Sequence, residues 1–499
     1  MNSLLFALAL SCIICLVLMP AARALALRLG FVDQPDGHRK IHRQPTAVSG
    51  GLAILISTIA SLTALLLTPH NSVADDLRSH WPTMLSLLLG ALVICALGVA
   101  DDCGRLRGRH KLLGQIVASG MVVSCGVWVR TVQIFGVEMT LGWVGIPFTV
   151  LFLVVIINSL NLLDGMDGLL GSVGVILALS LAAMAWLAGH WWAGATAAAL
   201  AGALFGFLRY NLVRATIFLG DSGSMLIGLV LGTLSIHCSL KAPSTLAMAL
   251  PLGLLVLPFF DTTAAIVRRK LTGRSIYTTD RGHLHHCLQR SGFSTAATVA
   301  LISVGCLLAC GSVLASRAFD NEWIALLTAA SIIATLMLTK WFGYAEAQLI
   351  KGRLWSLVLP NHCPKQMEVR LQGTAGWDSL WDALKHRASG LNLSGMLLDV
   401  NAPFLHEGYH ARWGQLSDGG GERPQWHVEI PMTVQGRAAG RLLLSGQPDA
   451  QPVWVKIAAV MLLIERFNSA DSAAVGVSVN PAAMMASTTR ESQIGLEIA

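Results

Sequence analysis

The sequence predicts an all-α polytopic membrane protein of about eleven transmembrane helices, N-terminus outside, with a small cytoplasmic α+β domain near its C-terminal end. Three observations predict it. Of the 499 residues, 54% are hydrophobic and only 13% are charged, whereas soluble domains carry about 25% charged residues. Apolar runs of roughly 17–22 residues, long enough to cross a bilayer, recur along the chain. The cations between these runs gather in alternate loops. The net charge of +7 therefore reads as membrane orientation, and no nucleic-acid partner is expected.

The runs lie near 3–19, 49–68, 83–100, 112–129, 143–161, 169–188, 191–208, 222–240, 245–267, 296–316 and 322–342. The first lacks a basic leading segment and reads as a retained helix rather than a cleaved signal peptide. Loops after odd-numbered runs hold Arg23, Arg28, Arg39, Lys40, Arg43, Arg105, Arg107, Arg109, Lys111, Arg209, Arg214, Arg268, Arg269, Lys270, Arg274, Arg281 and Arg290. Loops after even-numbered runs hold only Arg78, Arg130, Lys241 and Arg317. Excess Lys and Arg marks the cytoplasmic side, so the odd loops are cytoplasmic and the chain leaves its last run into the cytoplasm. Cys12, Cys15, Cys95, Cys125, Cys306 and Cys310 lie inside apolar runs. That favours packed thiols over a disulfide framework or a redox pair at Cys12 and Cys15.

On this topology five aspartates, Asp101, Asp102, Asp164, Asp167 and Asp221, meet the same face. A carboxylate at membrane depth costs several kcal/mol unless compensated, which makes each a functional candidate. Asp101 and Asp102 close the third run. Adjacent carboxylates at a helix C-terminus oppose the helix dipole and call for a cation, unless they form an interfacial pair solvated beside Arg105 to Lys111. In residues 158–169, Asn158, Asn161, Asp164 and Asp167 recur every three positions, along one helical face if the helix persists. Gly165 and Gly168 allow close backbone approach to a ligand; a solvated turn is the plainer reading. Asp221 opens the eighth run. It or Ser222 would suit an N-cap, a helix N-terminus also binds phosphate, and Mg²⁺ favours one or two carboxylates plus substrate phosphate oxygens.

His283, His285 and His286 follow Arg281 in the most basic loop. Three histidines raise zinc, but no cysteine or carboxylate set at zinc spacing accompanies them, and Arg281 with Arg290 favours an anion. Asp261, inside the ninth run, either serves the site or pairs with an adjacent polar group. The first cytoplasmic loop, residues 33–51, is basic and rich in turns. It suits anionic lipid headgroups or the placement of a lipid phosphate at the surface.

These segments together resemble the polyprenyl-phosphate N-acetylhexosamine-1-phosphate transferases, a membrane family that starts lipid-linked intermediates of bacterial cell-wall and surface polysaccharides. The matching pieces are His38-Arg39-Lys40-Ile41-His42-Arg43-Gln44-Pro45 to Gly50-Gly51, Gly98-Val99-Ala100-Asp101-Asp102, residues 158–169, residues 218–224 and His283 to His286, in the family's order over about residues 30–295. The resemblance implies Mg²⁺-dependent transfer, with Mn²⁺ able to substitute, of a sugar 1-phosphate from a UDP-sugar to undecaprenyl phosphate, releasing UMP. It implies Asp221, with Asp101, as metal ligands, Asp101 and Asp102 beside the reacting phosphates, and His283, His285 and His286 in catalysis. Lys40, Lys111, Asn158, Asn161, Asp164, Asp167, Asn211, Phe218 and Arg281 would bind substrate, Phe218 by stacking on uracil. The His-Leu-His-His order is similar to the GlcNAc-1-phosphate branch rather than the muramyl-pentapeptide branch. One departure is Arg214, where the family commonly has proline after Asn-x-x. The resemblance further implies an inner-membrane enzyme working at the cytoplasmic face, with the bilayer and a second copy of the chain as candidate partners.

Direct attack by the prenyl phosphate on the β-phosphorus, with Asp101 or Asp102 orienting it or taking a proton, is the expected route; a covalent phospho-aspartate is the other. An ion-coupled transporter also buries carboxylates among helices and is the competing functional class. Its acids should sit near the midplane on broken helices.

Composition sets domain boundaries at 1–343 for the membrane part, 344–470 for the α+β domain and 471–499 for a disordered tail. Strand-like runs at 367–371, 396–400, 427–430 and 442–444 alternate with amphipathic helical patterns near 378–388 and 453–467. Trp377, Trp381, Trp413 and Trp426 read as core. A sensory or an oligomerising role suits such a domain.

Overall fold

Each run expected to cross the bilayer overlaps at least one helix. The structure, a computed structural model, describes residues 2–33, 45–104, 106–134, 137–212, 215–242, 245–247, 249–274, 282–358, 366–372, 376–402, 405, 407–414, 426–434, 437–449, 451–470 and 477–479. Its helices are α1 (Asn2–Leu29), α2 (Gly50–Leu66), α3 (Ser72–Ser79), α4 (Trp81–Asp102), α5 (Gly108–Ser124), α6 (Gly145–Leu163), α7 (Leu169–Ala188), α8 (Trp191–Asn211), α9 (Gly220–Ser239), α10 (Ala249–Leu254), α11 (Val256–Leu271), α12 (Leu284–Arg290), α13 (Thr295–Ala318), α14 (Trp323–Leu338), α15 (Tyr344–Val358), α16 (Trp377–Ala388) and α17 (Val453–Ala470).

Among the described residues seven of these, α1, α4, α6 with the turn before it, α7, α8, α9 and α13, are long and apolar enough to cross a membrane. The chain is a multi-pass membrane protein. α2 and α14 are apolar but shorter. The other two expected runs are less regular. α5 carries Arg109, His110 and Lys111 in its first turn. The run at 245–267 is interrupted at Leu255 between α10 and α11; Pro258 has no amide to offer the carbonyl of Leu254, so the ladder is broken there. Outward positions along the helices are apolar, among them Leu5, Ile13, Val17, Leu89, Leu92, Leu151, Leu307 and Leu327. Faces of that kind suit lipid rather than water.

Contacts divide the chain into two units, Met1–Thr263 with His283–Trp341, and Ala264–Gly282 with Phe342–Ala499. The division falls within α11 and differs from the compositional boundary at 344, because residues 264–282 group with the C-terminal part.

In the first unit α9 is the central helix, packed against α2, α4, α6, α7 and α8. Small residues let its neighbours approach to backbone contact: a Cβ on Gly98 of α4 would collide with the Ser222 backbone, one on Gly51 with Gly223, and one on Gly228 with Ile157. Membrane helices associate through such close packing, since lipid offers no hydrophobic drive. Short strands absent from the sequence reading complete this unit. β1 (Val32–Asp33), β2 (Thr46–Val48) and β5 (Ile217–Phe218) form one sheet; β3 (Thr131–Ile134), β4 (Val137–Thr140), β6 (Leu240–Ala242) and β7 (Thr245–Ala247) form another, in the order β4-β3-β7-β6.

The second unit holds β8 (Gln366–Gln372), β9 (Leu393–Ala402), β10 (Glu407–Gly414), β11 (Trp426–Val434), β12 (Arg437–Gly446) and β13 (Val477–Val479), an antiparallel sheet in the order β13-β11-β12-β9-β10-β8. Alternate residues such as Met396, Leu398, Val400, Ile430 and Leu442 pack with Trp377, Trp381 and Leu384 of α16 and Val460 and Ile464 of α17. Trp377 and Trp381 are core as expected; Trp413 and Trp426 pack at its edge. β10 was missed although Tyr409, Ala411 and Trp413, in or against the core, alternate with His410 and Arg412; that period of two was the available signal. β13 lies inside the tail expected to be disordered and pairs with β11; residues 471–476 and 480–499 of that tail lie outside the described residues.

Candidate active site

Four helix ends meet around one ammonium group. Lys111, in the first turn of α5, places Nζ 2.7 Å from Asp101 Oδ2 and 2.9 Å from Asp221 Oδ2. It also donates to Asn161 Oδ1 at 3.3 Å. Asn161 Nδ2 in turn donates to Asp221 Oδ1 at 2.5 Å and to Ser224 Oγ at 2.8 Å. The last turns of α4 and α6 and the first turns of α5 and α9 thus share one polar cluster. Lysine can link two carboxylates here because it carries three donors on one point charge.

Asp102 does something different from its neighbour. The amide N–H groups of Asp221 and Ser222 donate to its Oδ1 and Oδ2 at 2.9 and 3.4 Å. The first amides of a helix have no partner within it, so Asp102 caps α9 from another helix. The sequence reading gave that cap to Asp221 or Ser222; both instead lie inside the first turn. Gly220, at φ 75°, makes the entry possible, and a Cβ there would strike Val48 and Asp102.

The three-residue spacing from Asn158 to Asp167 does not become a single helical face. α6 ends at Leu163, Asp164 is its C-cap, and Gly168 turns the chain at φ 75° into α7. Asn158 exchanges hydrogen bonds with Gln115, donating to Gln115 Oε1 at 2.6 Å. Asp167 accepts from the Ala215 amide at 3.2 Å. Asn211 accepts from the Gly168 amide at 2.8 Å and donates to Ile217 O at 2.9 Å. Asn158, Asp167 and Asn211 therefore tie elements together, whereas Asp164 faces the other acids. Burial, then the charges of Asp221, Asp102 and Asp167, pushes Asp164 up to about 8.

The histidines reach this turn. His285 is 1% exposed, and its ring lies where a Cβ on Gly165 would be. Neither ring nitrogen has a hydrogen-bond partner among the described residues. Burial, with His286 and His283 nearby, holds it well below the usual histidine range. The His283 ring stacks with the His285 ring at 6.1 Å, and the His286 ring lies tilted 4.2 Å from it. Asp261 is explained as well. It lies 3.1 Å from His283 Nδ1 and accepts the Leu284 amide at 2.8 Å, which fixes the orientation of the His283 ring.

β2 pairs in parallel with β5, setting Val48 beside Phe218, so the first-loop and Phe218 motifs are neighbours. Phe218 is half-buried. Lys40, Arg214 and Arg281 lie outside the described residues. Gln115 was missed by sequence reasoning; a lone amide four residues after Lys111, hence on the same helical face, was the available signal.

No group of three or more His, Cys, Asp and Glu side chains at metal-binding distance occurs among the described residues. Asp101 and Asp221 nevertheless converge on one cation, the Lys111 ammonium, with hard oxygen donors. Two carboxylates completed by substrate phosphates is a donor set that fits Mg²⁺.

The sequence profile described as Glycosyl transferase family 4 matches residues 84–239. A probable undecaprenyl-phosphate N-acetylglucosaminyl 1-phosphate transferase of Bacillus subtilis is 32% identical over 289 residues, 58% of this chain and 77% of that protein. A decaprenyl-phosphate N-acetylglucosaminephosphotransferase of Mycolicibacterium smegmatis is 35% identical over 340 residues, 64% of this chain and 83% of its own length. A phospho-N-acetylmuramoyl-pentapeptide-transferase of Desulforudis audaxviator is 29% identical over 322 residues, covering 60% and 93%.

Proposed function

The chain belongs to glycosyl transferase family 4, and from that premise we propose that it transfers GlcNAc 1-phosphate, or a related N-acetylhexosamine 1-phosphate, from a UDP-sugar to undecaprenyl phosphate. The observation that carries the reading is the convergence of Asp101, Lys111, Asn161 and Asp221 at the ends of four helices. The Bacillus subtilis and Mycolicibacterium smegmatis relatives are named as N-acetylglucosamine phosphate transferases of undecaprenyl and decaprenyl phosphate, and they lend the transporter alternative no support.

Two phosphorylated substrates repel, so the site must neutralise charge while holding them in line. Lys111 supplies one positive charge between Asp101 and Asp221. Asp102 and Asn161 fix Asp221 by its backbone and by its carboxylate. The prenyl phosphate needs little general base, because its second ionisation lies near ~6. Its oxygen attacks the β-phosphorus, the bond to the α-phosphate oxygen breaks, and UMP leaves with the electron pair. Asp101 orients the nucleophile or takes its residual proton, and His283, aimed by Asp261, contacts phosphate or leaving group. Asp101 and Asp221 would hold Mg²⁺, or Mn²⁺ in its place, and the ion would offset the charge of the pyrophosphate.

The topology belongs to the same reading: eleven spans, N-terminus outside, in the inner membrane, with the aspartates at the cytoplasmic face. Charge in the odd loops supports it. Purified protein given UDP-GlcNAc and undecaprenyl phosphate should release UMP, and Asp221→Asn should abolish turnover. Absence of acceptor-dependent UMP release from any UDP-N-acetylhexosamine would refute the assignment. Exchange of labelled UMP into UDP-GlcNAc without acceptor would replace direct attack by the phospho-aspartate route.

A further inference from the structure

The sheet of the C-terminal unit ends on a strand that reads nearly the same in both directions. Among the described residues β8 has one strand neighbour, β10, and its other side is the edge of the sheet. Outward from Val369 the sequence runs Glu368 and Arg370, then Met367 and Leu371, then Gln366 and Gln372. The members of each pair are opposite in charge or alike in polarity.

The two charged residues share one face. Side chains two apart point the same way along a strand, and the register sets Arg370 beside Tyr409 and Glu368 beside Ala411, both of which belong to the core. Glu368 and Arg370 themselves are exposed and are held from within the unit. Glu368 accepts from Tyr409 Oη at 2.6 Å and lies 3.4 Å from Lys385 Nζ, and Arg370 pairs with Asp378 of α16. Both charges therefore stand fixed at the rim of the sheet. Val369 points to the other face and is 7% exposed, and α15 packs against the strand.

A strand edge presents a row of N–H and C=O groups that templates another strand. The sequence of β8 selects which strand and which register. When two copies meet antiparallel about a two-fold axis through Val369, Glu368 stands opposite Arg370 twice and Val369 opposite itself. Met367 then falls opposite Leu371, and Gln366 opposite Gln372. A slip of two residues sets Glu368 against Glu368 or Arg370 against Arg370. Opposite charges across a strand pair contribute roughly 0.2–1 kcal/mol each and like charges oppose pairing, so the register centred on Val369 is the favoured one. A two-fold contact of this kind is closed, because each copy offers the same patch.

We propose that β8 is a self-recognition edge, at which two copies of this chain join antiparallel about Val369 and make one continuous sheet of their C-terminal units. This surface lies outside residues 84–239, the part that matches the family profile, and it does not depend on the transferase reading.

The test uses full-length protein with Val369→Cys as reporter. Residues directly opposite in an antiparallel pair have Cα atoms about 4.5–5.5 Å apart, within the span of a disulfide. Mild oxidation should therefore give a cross-linked dimer that wild type, with its native cysteines, does not give. Adding Glu368→Arg or Arg370→Glu makes an edge of one sign and should cut the cross-linked fraction at least about fivefold, because two like-charge pairs replace two opposite ones. Co-expressed with different tags, these two variants should cross-link to each other as well as the reporter does to itself, since two arginines then meet two glutamates. A misfolded unit is not rescued in that way. If Glu368→Arg does not accumulate, Glu368→Gln, which keeps an oxygen for Tyr409, takes its place and should cross-link to Arg370→Glu better than Arg370→Glu does to itself. Absence of a cross-link in Val369→Cys alone would overturn the proposal and leave the edge to another partner or to solvent. Cross-linking indifferent to both charge changes, or a mixed pair no better than either variant alone, would overturn it as well.

Discussion

Asp102, at the end of one membrane helix, accepts the backbone N–H of Asp221 at the start of another, 2.9 Å away. Two aspartates that look equivalent in sequence are thereby separated: Asp101 faces the Lys111 ammonium and Asp102 faces backbone amides. Losing a cap costs about 1 kcal/mol, within roughly 0.5–2. Asp102→Ala is therefore expected to lower the melting temperature and, by releasing Asp221, the turnover. Asp102→Asn, whose amide oxygen still accepts a hydrogen bond, should keep more of both. Asp101→Asn should lose turnover while holding its melting temperature. Thermal unfolding and UMP release on the three purified variants check this; a stable, active Asp102→Ala would assign the cap no importance.

The second expectation concerns Lys111, which stands between Asp101 and Asp221. Replacing it with methionine leaves the two carboxylates facing each other without a cation. Removing one partner of a buried charge cluster is strongly destabilising, by about 3–5 kcal/mol for fully buried pairs and less here, where the groups are part-exposed. In EDTA, Lys111→Met should melt below wild type. Added Mg²⁺ should raise its melting temperature more than it raises wild type's, since anything that binds the folded state stabilises it. Equal shifts in both proteins would count against Asp101 and Asp221 as the metal ligands.

Periodicity and charge made the helices legible, because membrane spans leave few other readings of 17 or more apolar residues. The helix ends carried the motifs, so Asp101, Asn161, Asp221 and the histidines were found from sequence. What each one touches was not readable. Whether Asp102 meets a phosphate or the α9 amides depends on Gly98 letting α4 lie against Ser222. Asn158 and Asp167 matched a binding pattern yet hold Gln115 and Ala215. The small sheets of the membrane unit escaped because strands of two to four residues show no period. The ion pair of Asp399 with Arg274, 125 positions apart, leaves no local trace at all.

A third expectation follows from Asp164. Burial first, then the charges of Asp221, Asp102 and Asp167, raises it from the ordinary 3.8 to about 8. Between those values the folded chain holds a proton that the unfolded chain has released. Stability from this group is fully present below about pH 4 and is lost as pH rises through about 8. In EDTA, the wild-type melting temperature should fall from pH 5 to pH 8, and Asp164→Asn, which cannot ionise, should fall less steeply. Parallel slopes would show that Asp164 is already ionised in the folded chain.

The last expectation concerns Gly165 and His285. A Cβ at Gly165 would lie 2.5 Å from His285 Nε2 and 2.7 Å from Cε1, and contacts that short force one side to move. The His285 ring is buried on all sides and cannot swing to solvent, so Gly165→Ala should push it toward His286, 4.2 Å away. Displacing a group at the reaction centre by about 1 Å can cost on the order of a hundredfold in rate, so a clear loss of kcat is expected. His285→Ala should also lower kcat, and it removes the ring that the new methyl would strike. Gly165→Ala added to His285→Ala should then cost nothing further, which a double-mutant cycle on kcat reads directly. Losses that multiply would mean that Gly165 serves the site by its own backbone, as a contact for substrate, rather than by leaving room for the histidine.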